Sequence, residues 1–169
     1  MGAQVEENSV VRAAALVAVP WANGGGMTRV IADRPQFRLS LATIAGEGPF
    51  SLFPGLTRHF ALVTGRVDLT GATAGLPAML DAMSLPIVFS GAVPIHAAPR
   101  SGPALAFNLM APAGLPPLRL ERIAGGVVTG AIAVFACDAI KVDGLPLEPH
   151  DTLFPAGSVR VTGRALVVW

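Results

Sequence analysis

Every apolar stretch in this chain is cut by glycine, proline or aspartate within a few residues. The runs are Val10–Val19, Thr28–Ala32, Phe37–Ile44, Phe60–Leu69, Ile87–Phe89, Leu105–Met110, Leu118–Ile123, Val127–Phe135, Ala139–Val142, Thr152–Phe154, Ser158–Val161 and Ala165–Trp169. Strands need only about 4–8 residues between turn signals, whereas a helix core needs longer uninterrupted periodicity. The spacing therefore predicts an all-β chain of sandwich or barrel type. Phe37–Ile44 shows the strand period most clearly, with Phe37, Leu39, Leu41 and Thr43 alternating with Arg38, Ser40, Ala42 and Ile44. Such alternation puts the Arg38 guanidinium and the Ser40 hydroxyl side by side on one face. The single helical candidate is Ala78–Leu85, about two turns long and marginal on nucleation grounds.

With 52% hydrophobic and 14% charged residues, the chain is too apolar for a disordered segment. No segment reaches the roughly 18–20 charge-free apolar residues of a spanning helix. Ala13–Pro20 resembles a signal-peptide core, but Glu6 and Glu7 stand where positive charge belongs, so it is read as a buried strand. Net charge is +1 and the 12 basic residues are scattered, which argues against a nucleic-acid surface. The lone Cys137 follows the apolar Phe135 and Ala136 and reads as a buried small hydrophobe in a reducing, cytoplasmic compartment.

Phe60–Leu69 followed by Ile87–Ile95 has the same order of strand, turn and return as Val134–Gly144 followed by Asp151–Val161. That echo suggests two similar small antiparallel barrels joined near Met110–Leu118. The expected division is an N-terminal half, 1–110, and a C-terminal half, 111–169, forming one compact unit.

Three segments carry polar groups that a β scaffold does not need. Trp21-Ala22-Asn23-Gly24-Gly25-Gly26-Met27-Thr28-Arg29 places three glycines between strands, where exposed amides can cradle an anion, or where Asn23 simply caps a wide turn. Gly48-Pro49-Phe50-Ser51-Leu52-Phe53-Pro54-Gly55, with Arg58 and His59 after it, is a constrained loop of the kind that positions side chains. Its phenylalanines alternatively plug a barrel mouth. In Phe107-Asn108-Leu109-Met110 an amide sits inside an apolar run and must find partners. His59, His96 and His150 are far apart with no carboxylate at useful spacing, so no metal or other cofactor is expected. No GxSxG elbow is present.

At these three segments the chain resembles the HutD/Ves family, whose fold is a double-barrel cupin. The family pattern of Trp, a basic residue, Asn, a glycine-rich turn and Thr-Arg-Glu is matched at residues 21–30. Its aromatic-Arg-x-Ser strand and Phe-Ser-x-Phe-Pro-Gly loop are matched at Phe37–Ser40 and Phe50–Gly55, and its Asp-Phe-Asn-x-Met at 106–110. This chain departs from the pattern at Ala22, Val30 and Ala106, where one basic and two acidic residues of the family are apolar. A pocket that loses members of a charged network together becomes drier and less charged.

The resemblance implies an association with histidine utilisation and a modulating role. On it rests the leading expectation, a non-catalytic binder or regulator that holds a small carboxylate. Arg38 and Arg58 would grip the ligand, with Asn23, Ser40 and Asn108 orienting it and Trp21, Phe50 and Phe53 walling the pocket; Thr28, Arg29, Ser51 and Met110 complete the expected site. Two rivals stand beside it. One is a metal-independent cupin lyase, isomerase or hydrolase using His59 or Asp68 as acid or base. The other is a structural protein with a degraded site, whose apolar Leu166–Trp169 either seals a homodimer or closes the second barrel.

Overall fold

Alternating apolar residues become strands wherever a neighbour can take up their backbone groups. In the computed structural model, which describes residues 8–169, they do so fifteen times. In chain order the strands are β1 (Ser9–Val11), β2 (Ala18–Pro20), β3 (Gly26–Arg34), β4 (Phe37–Ile44), β5 (Gly48–Pro49), β6 (Leu56–Gly71), β7 (Ala78–Asp81) and β8 (Ile87–Ser90). They continue with β9 (Ile95–Pro112), β10 (Leu120–Val128), β11 (Ala133–Ala136), β12 (Ile140–Val142), β13 (Leu145–Leu147), β14 (Thr152–Phe154) and β15 (Val159–Val168). All pairings are antiparallel, and no helix among the described residues is long and apolar enough to cross a membrane.

The chain divides into two units. The larger, Val17–Pro117, is built on a sheet ordered β2-β3-β4-β9-β6-β7, with β5 added to β9 and β8 to β6. Its core gathers Ile44, Phe50, Phe60, Leu62, Val67, Leu69, Leu80, Phe89 and Ile95. The smaller unit joins the described residues up to Leu16 to Leu118–Trp169, in a sheet ordered β1-β14-β11-β15-β12-β13 with β10 on β15. Val134, Ala136, Ile140, Leu147, Leu153 and Val167 centre its core. Val167 belongs to this core, and Leu166 and Val168 beside it on β15 are fully buried as well.

Relative to the expected division at 110/111, the larger unit runs on to Pro117 and the first described strand goes to the smaller one. The buried Asp151 explains the second difference. Its carboxylate accepts hydrogen bonds from Arg12 Nη1 (2.6 Å), Ala13 N (2.9 Å) and Glu148 N (3.1 Å), fastening the N-terminal segment to the smaller unit.

Four local expectations are corrected. Ala13–Pro20 is no buried strand: Ala13–Ala15 form a 3-10 turn, Val17 is 79% exposed, and only Ala18–Pro20 pair, on a sheet edge where Pro20 needs no donor. Ala78–Leu85 is not helical. Ala78–Asp81 pair with β6, and the Asp81 carboxylate takes the amides of Met83 and Ser84, turning the chain. Phe60–Leu69 belongs to one strand of sixteen residues, where Gly65 is a bulge and not a turn. Its φ of +82° and its approach to Ala104, whose Cα would lie 2.9 Å from an added Cβ, both demand glycine. Conversely, Val127–Phe135 breaks between Val128 and Ala133, at Gly130 with φ of +70°.

Candidate functional site

The cavity forms on one face of the larger sheet because three adjacent strands bring their alternate residues into rows. Arg38 on β4 and Arg58 on β6 both pair directly with Met110 on the intervening β9. In the next row Val30, Ser40, Asn108 and Phe60 stand side by side, and beyond them Thr28, Ala42, Ala106 and Leu62. Side chains directly opposite in an antiparallel pair point to the same side, so polar groups far apart in sequence converge.

They enclose a cavity of about 280 Å³, lined by Val19, Pro20, Trp21, Thr28, Val30, Arg38, Ser40, Ala42, Phe50, Ser51, Phe53, Arg58, Asn108 and Met110. Ten of the twelve expected site residues are therefore on its wall. Asn23 and Arg29 are not. Arg29 has the opposite strand parity to Thr28 and Val30 and faces away. Asn23 spends its side chain on its own turn: Oδ1 accepts from Gly25 N at 3.0 Å, and Nδ2 lies 3.5 Å from Pro49 O. Gly24 N in turn donates to Trp21 O, so these glycine amides close a loop and do not form an anion cradle.

What the triple-glycine turn does is seat Trp21. A Cβ on Gly26 would lie 2.1 Å from Thr43 O and 3.0 Å from the Trp21 ring. With that space open, the indole Nε1 donates to Thr28 Oγ1 at 2.8 Å and the ring meets Phe50 edge-on at 6.4 Å. The Phe50–Phe53 loop is equally fixed, Phe50 N donating to Ile95 O (2.8 Å) and Phe53 N to Gly91 O (2.7 Å).

Arg58 is the centre of the site. Its residue surface is only 5% exposed, its Nε donates to Asn108 Oδ1 at 2.9 Å, and its guanidinium lies 4.4 Å from the Phe50 ring centroid, with Phe60 and Phe89 further out. Burial lowers its pKa to about 10, so it remains a cation at neutral pH. Neither Arg58 nor Arg38 forms an ion pair among the described residues, and no acid lines the cavity. Asp33, opposite Arg38 on β3, is exposed and lies off the cavity wall.

The acid/base candidates lie elsewhere. His59 has the opposite parity to Arg58; it is buried at 6% exposure, its Nδ1 has no hydrogen-bond partner, and burial lowers its pKa. Asp68 is ion-paired with Arg100, outside the cavity wall. Among the described residues no three His, Cys, Asp or Glu side chains cluster as metal ligands. The three departures from the family pattern do not form one network: Ala22 is exposed in the turn, Val30 lines the cavity, and Ala106 is packed in the core. Four wall residues, Val19, Pro20, Val30 and Ala42, were not in the expected site. Parity reveals two of them, since Val30 follows Thr28 by two and Ala42 follows Ser40 by two.

The HutD family model matches residues 13–159. A solved structure of HutD from Pseudomonas fluorescens SBW25, in a formate condition, is 30% identical with a TM-score of 0.81, covering 95% of this chain and 96% of its own. Protein Ves of Citrobacter koseri is 46% identical over 61 residues, a match that spans 32% of each chain. A cupin 2 conserved barrel domain protein from Leptotrichia buccalis, 11% identical, superposes with a TM-score of 0.60 over 98% of this chain and 97% of its own, a likeness of fold alone.

Proposed function

This chain belongs to the HutD family, and from that premise we propose that it is a non-catalytic small-molecule binder or regulator whose ligand is a small carboxylate held in the Arg38–Arg58 cavity. The observation that carries the reading is the Arg58 guanidinium, buried on the cavity wall with an amide and aromatic rings around it and no acid in reach. Removing a cation from water costs several kcal/mol unless an anion compensates. A ligand carboxylate supplies that anion and gains charge-assisted, forked hydrogen bonds about twice as strong as neutral ones. In this reading Ser40 and Asn108 orient it, and Trp21, Phe50 and Phe53, which share the cavity wall, exclude water.

A binding role is favoured over catalysis by the character of the wall. Its polar side chains are Thr28, Arg38, Ser40, Ser51, Arg58 and Asn108. None is a carboxylate, imidazole or thiol whose pKa approaches neutrality, the range in which general acid–base catalysis works best. The family directs the choice of ligand to carboxylates of histidine degradation, such as urocanate or an acylated glutamate. The buried, unpaired Cys137 fits a cytoplasmic setting.

Thermal unfolding of the protein with millimolar urocanate and N-acylglutamates tests the reading. At least one acid is expected to raise Tm for the native chain and not for Arg38→Ala. Absence of any shift across the panel contradicts it.

A further inference from the structure

Two cations separated by an apolar side chain specify more than a carboxylate. Arg38 and Arg58 both pair with Met110, so they flank it in one row across three strands. Two interstrand steps place their Cα atoms about 10 Å apart. All three side chains reach the same cavity. The cations also differ in depth: Arg58 is almost fully buried, with its Nε committed to Asn108, while Arg38 is partly exposed. Arg38 forms no ion pair among the described residues, and Asp33 opposite it on β3 is exposed, so a carboxylate on Arg58 leaves Arg38 open to a second anion.

Resting on the carboxylate reading above, we propose that the ligand class is a short dicarboxylate. One carboxylate lies deep on Arg58, the aliphatic spacer lies over Met110, and the second carboxylate lies on Arg38. Val30 sets this charge preference. It lines the cavity directly opposite Ser40, two residues along β4 from Arg38, where an acid would satisfy a guanidinium internally and leave room for one negative charge only.

Isothermal titration of the full chain with succinate and glutarate, against butyrate and valerate as monoanions of similar length, tests the assignment. At least one diacid is expected to bind tenfold or more tighter than either monoacid. In Arg38→Gln diacid affinity should fall by tenfold or more and monoacid affinity by no more than threefold, with Arg38→Lys restoring most of the diacid preference. Val30→Glu should likewise erase the preference and provides a second variant should Arg38→Gln fold poorly. Equal affinity for diacid and monoacid in the native chain overturns the dicarboxylate assignment and leaves the carboxylate reading standing. Failure of every acid to bind overturns both.

Discussion

Replacing Asn108 by aspartate puts an internal anion where the proposed ligand's carboxylate would sit. The change is nearly isosteric, and the Oδ1 that now accepts from Arg58 Nε at 2.9 Å becomes part of a carboxylate. The charge-assisted bond is worth about 1.5–3 kcal/mol net of desolvation against about 1 for the neutral one, so the ligand-free stability of Asn108→Asp should lie within about 2 kcal/mol of the native chain. Binding is affected far more. A ligand carboxylate about 5 Å from the introduced one is repelled by about 3 kcal/mol at an effective dielectric constant of 20, a hundredfold or greater loss of affinity. At a ligand concentration of one hundred times its Kd, the native chain gains about 2.7 kcal/mol. For a protein of this size that is a Tm rise of about 5–11 °C. Thermal unfolding with and without glutarate at pH 7 should show that rise for the native chain and almost none for Asn108→Asp. An equal rise in both refutes the idea that Arg58 is a cation awaiting an external anion.

Other outcomes follow from the same geometry. Arg58→Met should abolish carboxylate binding in titration while changing ligand-free stability by no more than about 2 kcal/mol, because the lost bond and ring contacts are offset by relief of a buried charge. Gly26→Ala forces a methyl against Thr43 O and the Trp21 ring and should lower stability by about 1–3 kcal/mol in urea unfolding, with a shift in Trp emission. Asp151→Ala strands two backbone amides and a guanidinium and should destabilise the smaller unit by about 2–4 kcal/mol, read by hydrogen exchange at β1 and β14. For His59, burial places the folded-state pKa below the ordinary 6.5, so the unfolded chain takes the proton first. Stability should therefore fall as pH drops below about 6.5, and His59→Leu should weaken that dependence in Tm measured from pH 7.5 to 5.

The β character of the chain was legible because its turn residues recur so often, and Phe37–Ile44 could be assigned to a strand with the correct faces from parity alone. The cavity was legible from Arg38, Ser40, Arg58 and Asn108, polar residues placed where a β core needs none. What local sequence could not supply was partnership. Ala78–Asp81 has a fair helical composition, yet pairing with β6 outweighs two turns of helix. Gly65 reads as a turn until the sheet register shows that the strand continues through it. Asn23 reads as a ligand contact because an asparagine in a glycine turn offers both donors and acceptors, but in the folded chain Gly25 N takes its oxygen. The row of Arg38, Met110 and Arg58 depends on pairings across 52 and 72 residues of chain, and no periodicity within one segment encodes it.

A crystal structure of the protein grown with saturating glutarate tests the central claim most directly. Ligand density with a carboxylate within hydrogen-bond distance of the Arg58 guanidinium is the expected result. A cavity without ligand, or glutarate bound only at another surface, would contradict it.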